Sequence, residues 1–237
     1  LSRESLQNFT NQRLTSFTVD LIEKGKSIKA LLEKELLISK NITEISLANL
    51  VPKIWPKNYP IMLSASSPIR DWLTFSGKQI LSRKCFSFRG ASGIDGTLSA
   101  ALGIARIMNP LLLVTGDLSF LHDINGWLNE DAKDINLKIL LIDNKGGNIF
   151  NRIYENDLSK HDIEKLFQMH RNLNWVKLSE SHNIPFKNIS YINQLEEAFS
   201  WSLSFDKSAI IRVKTNAYDE IKQRKNILKS INKKIFI

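Results

Sequence analysis

The sequence predicts an α/β fold: a mostly parallel sheet with helices on both faces. Three observations predict it. Strand and helix signals alternate from Ile61 onward. The apolar run Leu111-Leu112-Leu113-Val114 passes through Thr115-Gly116-Asp117 into a helical pattern. A second run, Ile139-Leu140-Leu141-Ile142, ends in Asp143-Asn144-Lys145-Gly146-Gly147. Short apolar runs alternating with helical periodicity mark βαβ units, whose strands are buried on both faces.

In chain order, Thr15–Leu37 carries Val19, Ile22, Ile28, Leu31 and Leu32 at helical spacing, which predicts one or two amphipathic helices at a domain edge. Asn41 or Thr43 can cap a short helix through Leu50, ended by Pro52 and Pro56. Strands are predicted at Ile61–Leu63, Lys84–Phe88, Leu111–Val114, Lys138–Ile142 and Ala209–Val213. Helices are predicted at Thr97–Met108, Ser119–Leu128, Ile163–His170 and Gln194–Leu203. A basic C-terminal helix follows, in which Ile227, Leu228, Ile231 and Ile235 form one apolar stripe and the lysines a solvated face. Residues 1–39 are expected to close a preceding domain and its helical linker, and 40–237 to form the domain proper.

A length of 237 residues fits one large domain, or one with an appendage. Hydrophobic residues at 43% and charged residues at 24% are globular values, which exclude a disordered or fibrous chain. Cys85 is the single cysteine and cannot form an internal bridge, which fits a reducing compartment or simply an absence of selection for bridges; the expected location is cytoplasmic. No apolar run approaches the ~20 residues that span a bilayer. The N-terminus shows neither a signal-peptide run nor an initiator methionine, so the chain is expected to be a piece of a longer polypeptide. The net charge is +9, and a basic balance suits nucleic acid, an anionic surface or small anionic substrates. The aromatic residues do not interleave with the basic run, as a platform for single strands requires, so nucleic acid is not the expected partner.

The strand tips carry the chemistry. Gly116 permits close backbone approach, and the first N–H groups of the following helix favour an anion, most simply a phosphate. Asp117 stands at the carboxyl end of a parallel strand, where open α/β sheets bind ligands; alone, it could equally cap the helix. Asn144 follows 27 residues later, one helix-plus-strand crossover. Such a crossover brings both tips to the same sheet edge, where a carboxylate and an amide oxygen can share one hard cation. Mg²⁺ takes six oxygens at about 2.1 Å, commonly from one or two carboxylates and substrate phosphates. Asp117, Asn144, a backbone carbonyl at Gly146-Gly147, phosphate oxygens and a water would complete that set. The four histidines and Cys85 show no soft-metal spacing.

Gly-Asp followed 27 residues later by Asn resembles the thiamine-diphosphate motif. The surrounding strings narrow the resemblance: Thr43-Glu44, Ser66-Ser67-Pro68-Ile69-Arg70-Asp71, Arg89-Gly90-Ala91-Ser92-Gly93-Ile94-Asp95-Gly96, Gly116 to Asp123, and Gly146-Gly147-Asn148-Ile149-Phe150. Together they resemble the 2-succinyl-5-enolpyruvyl-6-hydroxy-3-cyclohexene-1-carboxylate synthase family of menaquinone and phylloquinone biosynthesis, over roughly residues 40 to 215. The resemblance implies a thiamine-diphosphate-binding fold and a transferase that decarboxylates 2-oxoglutarate and adds the succinyl unit to isochorismate. It also implies Mg²⁺ or Mn²⁺ held by Asp117, Asn144 and Gly146. Ser66, Gly116, Leu118, Ser119 and Gly147 would lie near the diphosphate. Backbone atoms of Ser92 and Gly93 would face the aminopyrimidine, with Ile94 wedged beneath the cofactor. Arg70 and Arg89 are the implied carboxylate clamps, suited by a planar guanidinium fork. Ile149 and Phe150 would form an apolar substrate wall. His122 and Asp123 are explained equally well by helix packing.

The same resemblance implies a catalytic glutamate in an N-terminal domain of a partner subunit, hence at least a homodimer and no turnover by these residues alone. The sequence departs from the family at Ala65, Phe88, Asp143 and Lys145, where the family more often has neutral amides. Two alternatives remain open: a diphosphate-binding subunit of a two-chain thiamine-dependent decarboxylase, and a non-catalytic anion- or nucleic-acid-binding domain.

Overall fold

The structure is a computed structural model that describes residues 15–38, 41–77, 83–88, 93–129, 132, 134–153, 158–169 and 172–235. In chain order its elements are α1 (Ser16–Ile38), α2 (Glu44–Ile54), β1 (Ile61–Leu63), α3 (Ser67–Phe75), β2 (Cys85–Ser87), α4 (Thr97–Ala105), β3 (Leu111–Gly116), α5 (Asp117–His122), β4 (Leu137–Asp143), α6 (Ile149–Ile153), α7 (Lys160–Leu166), α8 (Trp175–Ser181), β5 (Phe186–Ile189), α9 (Leu195–Leu203), β6 (Ala209–Lys214) and α10 (Ala217–Ile235). Two compact units divide them: Lys40–Lys222, and a smaller unit of the N-terminal residues to Ser39 with Gln223–Ile237. No helix among the described residues is long and apolar enough to cross a membrane.

In the larger unit the described strands form one parallel sheet in the order β2-β1-β3-β4-β6-β5. Register explains why both faces are covered. Met62, Leu113, Ile139 and Ile210 pair across the sheet and share one core with Leu98 and Phe120. One residue on, Leu63, Val114, Leu140 and Ile211 pair and share the opposite core with Val51, Trp72 and Phe199. Because successive side chains in a strand point to opposite faces, the continuous apolar runs of β3 and β4 fill both layers at once.

Thr43, one of two expected caps, closes a reciprocal box on α2: its Oγ1 accepts the Ser46 N–H at 3.1 Å, and Ser46 Oγ accepts the Thr43 N–H at 2.9 Å. The helix does not stop before Pro52 but runs to Ile54. Proline removes one helical hydrogen bond, and burial of Ile45, Leu47, Ala48 and Val51 outweighs that loss. Arg83 gathers the loose carbonyls beyond it. Its guanidinium donates to Pro52 (3.3 Å), Trp55 (2.9 Å), Pro56 (2.5 Å) and Tyr59 (3.0 Å). Arg83→Met is expected to destabilise the chain by about 2–3 kcal/mol, since hydrogen bonds to a charged group each contribute about 1.5–3 kcal/mol and some carbonyls will find water. Urea midpoints at constant denaturant slope check this.

Lys138 is fully buried in β4, its ammonium donating to the carbonyls of Phe205 (2.8 Å) and Lys207 (2.5 Å). Burial lowers its pKa to about 8 from 10.5, against the opposing pull of Asp206. The folded pKa lies below the unfolded one, so the unfolded chain holds more protons between the two values and stability rises with pH across that window. Urea midpoints should climb there for the parent chain and much less for Lys138→Met.

Four elements had no sequence signal: α3, α6, α8 and the edge strand β5, whose Phe-Lys-Asn-Ile is only half apolar. The helix predicted at Ser119–Leu128 is split into α5 and a 3-10 turn at Ile124–Leu128. The helix predicted to reach His170 ends at Leu166, and His170 lies outside the described residues. In α10 the lysines at 222, 225, 229 and 233 are exposed and Ile227 is buried, as expected, but Leu228 is 59% exposed. Leu228 stands about 100° around the helix from Ile227, off the face that Ile227 buries. On α1, Val19 and Ile22 of the expected apolar stripe are likewise exposed, whereas Leu36 is buried.

Candidate functional site

The chain leaves β1 for β2 on one side and returns to β3 on the other, so a topological switch point lies between β1 and β3. Open α/β sheets bind ligands outside the carboxyl ends of the strands at such a point. A crevice of about 290 Å³ opens there. Its lining includes Ser66 after β1, Gly116, Asp117, Leu118 and Ser119 after β3, Asn144, Gly147, Ile149 and Phe150 after β4, and Ile94 before α4. All ten were expected at the site. Gly93 is exposed and not part of the lining; Arg70 is exposed on α3, also outside it. Arg89 and Ser92 lie outside the described residues.

Asp117 and Asn144 meet through Gly146. The Gly146 N–H donates to Asn144 Oδ1 at 3.2 Å and also faces the Asp117 carboxylate. Asp117 occupies the first position of α5 and Gly116 is the cap; Asp117 Oδ1 accepts the Leu118 N–H at 2.8 Å. Burial pushes the Asp117 pKa up to about 7. Asp143, within hydrogen-bonding reach, pushes the same way, while the Leu118 and Gly146 N–H groups pull against both. Asp143 is buried and is itself held by Arg212, through Nη2 and through Nε at 2.9 Å, and by the Lys145 N–H at 3.1 Å.

Two buried carboxylates that face each other call for a proton or a cation between them. With the neighbouring amide oxygen they form a hard, all-oxygen donor set that fits a divalent cation of the Mg²⁺ or Mn²⁺ kind.

The loop after β4 is shaped by three successive left-handed residues, Lys145 (φ 67°), Gly146 (φ 78°) and Gly147 (φ 74°). A Cβ on Gly147 would collide with the Phe167 carbonyl oxygen, and one on Gly146 would lie 2.8 Å from that of Met169, so both positions exclude side chains. Gly116 differs. Its backbone is extended and a Cβ there would meet nothing within 4 Å, so glycine leaves open space at the crevice wall. Ser66, with φ 75° and ψ −134°, is strained by about 1–3 kcal/mol, a feature that gathers at ligand sites. The Ser119 hydroxyl is engaged by Thr97 Oγ1 (2.9 Å) and the Ile94 carbonyl (3.3 Å), which ties α5 to the segment before α4. Asp123 accepts the Ser99 N–H (2.6 Å) and hydroxyl (3.0 Å), a packing role, and His122 is exposed.

Several residues escaped sequence reasoning. Glu44 Oε1 accepts the Asn144 Nδ2–H at 2.7 Å. The carboxylates of Glu44, Asp71 and Glu220, all buried, place oxygens within 4.8 Å of one another. Arg152 reaches Asp71 at 3.4 Å. Glu44 and Asp71 belong to strings that the resemblance quoted, without a role for either, and Asp143 was noted only as a departure. Glu220, inside an amphipathic helix, gave no signal.

Residues 75–213 match the family described as thiamine pyrophosphate enzyme, C-terminal TPP binding domain. The chain is 58% identical over 231 residues to the 2-succinyl-5-enolpyruvyl-6-hydroxy-3-cyclohexene-1-carboxylate synthase of Prochlorococcus marinus strain MIT 9301, covering 98% of this chain and 39% of that protein. It is 55% identical over 239 residues to the protein of that name in strain MIT 9515, covering 95% and 41%. The chain thus spans about two-fifths of the length of these curated relatives. Among solved structures it is similar to benzoylformate decarboxylase of Polynucleobacter necessarius (TM-score 0.59, 15% identity, 74% of this chain and 33% of that one). It is also similar to the thiamine diphosphate-dependent 4-hydroxybenzoylformate decarboxylase of Rhodococcus jostii RHA1 (TM-score 0.55, 18% identity, 76% and 33%). At these identities the solved structures speak for the fold alone.

Proposed function

Because the chain belongs to the family of thiamine pyrophosphate enzyme C-terminal TPP-binding domains, we propose that its crevice holds thiamine diphosphate through Mg²⁺ or Mn²⁺. In this reading it serves the synthase reaction for which its relatives are named: 2-oxoglutarate is decarboxylated and its succinyl unit is added to isochorismate, giving 2-succinyl-5-enolpyruvyl-6-hydroxy-3-cyclohexene-1-carboxylate and CO₂. The observation that carries the reading is the meeting of Asp117 and Asn144 on the Gly146 N–H at the sheet's switch point.

Asp117, Asn144 and the Gly146 carbonyl would hold the cation; Ser66, Gly116, Leu118, Ser119 and Gly147 would surround the diphosphate. Ile94 would support the cofactor from below, with backbone atoms of Ser92 and Gly93 against its aminopyrimidine. When bound, thiamine diphosphate supplies the electron sink for decarboxylation. Ile149 and Phe150, the latter stacked on Phe167 at 4.8 Å, would keep water from the reacting carbon. Arg70 and Arg89 would clamp substrate carboxylates. The exposure of Arg70 agrees with a site completed by another domain, in a cytoplasmic homodimer or larger assembly. Residues 1–39 belong, in this reading, to the end of a middle domain and its linker, and 40–237 to the diphosphate-binding domain.

Cation binding must displace the proton that Asp117 retains up to about pH 7, so Mn²⁺ affinity should rise with pH to that point and level off above it; titrations across the range check this. The reading itself is tested by joining this chain to the remaining N-terminal part of the MIT 9301 relative and following CO₂ release from 2-oxoglutarate and loss of isochorismate. Turnover that needs both thiamine diphosphate and Mg²⁺ is the expected result. Cofactor binding without turnover of this substrate pair would overturn the substrates. Absence of cation-dependent cofactor binding would overturn the whole reading.

A further inference from the structure

We propose that Glu44 is a positioning residue for the cation: it holds the side-chain amide of Asn144 with its oxygen toward Asp117. The inference rests on the cation site proposed above and adds to it a residue 100 positions away in sequence.

An asparagine amide has two ends of nearly the same shape, and only the oxygen can ligate a cation. The end that faces the cation is decided by what the other end bonds. Asn144 Nδ2 donates to Glu44 Oε1 at 2.7 Å, while Oδ1 accepts the Gly146 N–H at 3.2 Å, the same N–H that faces Asp117. A carboxylate offers acceptors only, so Glu44 bonds the NH₂ end and repels the oxygen end. A flipped amide would lose both hydrogen bonds, setting its oxygen against a carboxylate oxygen and its NH₂ against the Gly146 N–H.

Glu44 is built to stay in place. It is 4% exposed, is the first residue of α2 behind the Thr43–Ser46 box, and donates its own N–H to Glu220 Oε2 at 2.8 Å. Asp71 and Glu220 are its acidic neighbours, and Arg152 lies against Asp71. Groups that fix the far end of a metal ligand typically change metal affinity by about 10–100-fold when removed.

The test is Mn²⁺ binding in the presence of thiamine diphosphate, read from the electron paramagnetic resonance signal of free Mn²⁺, on the joined protein described above. Glu44→Gln keeps the shape but can donate to the amide oxygen, so both amide orientations become possible; a roughly 10–100-fold loss of Mn²⁺ affinity is expected, with a melting midpoint no lower than the parent's. In the exchanged pair Glu44→Gln with Asn144→Asp, both oxygens at position 144 are equivalent and need no orienting, so affinity should return to near the parent's. Parent-like Mn²⁺ affinity in Glu44→Gln would overturn the inference while the cation site stands. Should Glu44→Gln not fold, the exchanged pair decides: a folded pair that fails to bind Mn²⁺ overturns it. A parent protein that binds no Mn²⁺ would instead overturn the cation site itself.

Discussion

Asp117→Asn will stabilise the cation-free chain at neutral to alkaline pH and, in the same molecule, weaken Mn²⁺ binding by at least about 100-fold. In the proposed reading Asp117 serves a ligand at the expense of the fold, so the two effects have opposite signs. Its pKa, pushed up to about 7 from 3.8 by burial and by Asp143, lies above the unfolded value. The folded chain therefore binds more protons between those values, and stability falls as pH rises through the window. At about 1.4 kcal/mol per pKa unit, the ionised side chain is held at a penalty on the order of 2–4 kcal/mol above pH 7, shared with Asp143. An amide of the same shape removes the penalty. Urea midpoints on either side of the window should show the Asp117→Asn substitution raising stability above pH 7 and giving no such gain near pH 4. A carboxylate that served only the fold would behave in the reverse way.

Arg212→Met should be the most destabilising single change, at about 3–5 kcal/mol, because it leaves Asp143 buried without its counter-charge and facing a second carboxylate. It also removes the Nη1 bond to Asn188 (2.8 Å) and the guanidinium over the Trp175 ring (5.8 Å). Two recoveries separate the charge effect from those losses. Asp143→Asn in the same chain should restore much of the stability, and saturating Mn²⁺ should restore part of it by supplying the missing positive charge. Denaturant midpoints with and without Mn²⁺ measure both. A drop of less than about 1 kcal/mol would show that Asp143 draws little from Arg212.

What was legible in the sequence follows from how locally each feature is determined. β3, β4 and β6 could be read because strands buried on both faces must be continuous apolar runs. β5 could not, because at the edge of the described sheet Lys187 and Asn188 are tolerated on opposite faces, partnered by Glu197 and Arg212. α3 was hidden by its shortness and by Pro68 in its first turn. Asp117, Asn144 and the Gly146-Gly147 loop could be found because a strand tip, a carboxylate and left-handed glycines leave their marks within a few residues. Glu44 left no mark of its role. Its bond to Asn144 exists only after the fold brings α2 against the end of β4. Asp143 stood in view but read as a mere departure, since its meaning depends on Arg212 two residues from the end of another strand. Leu228 shows the reverse limit: an apolar residue can join a helical stripe in sequence and still point to solvent.

The most direct measurement is the position of Mn²⁺, located by its anomalous scattering in crystals grown with thiamine diphosphate. The peak should lie about 2.1 Å from a carboxylate oxygen of Asp117 and from Asn144 Oδ1. A peak among Glu44, Asp71 and Glu220 instead, or a cofactor bound with no metal between Asp117 and Asn144, would contradict the account.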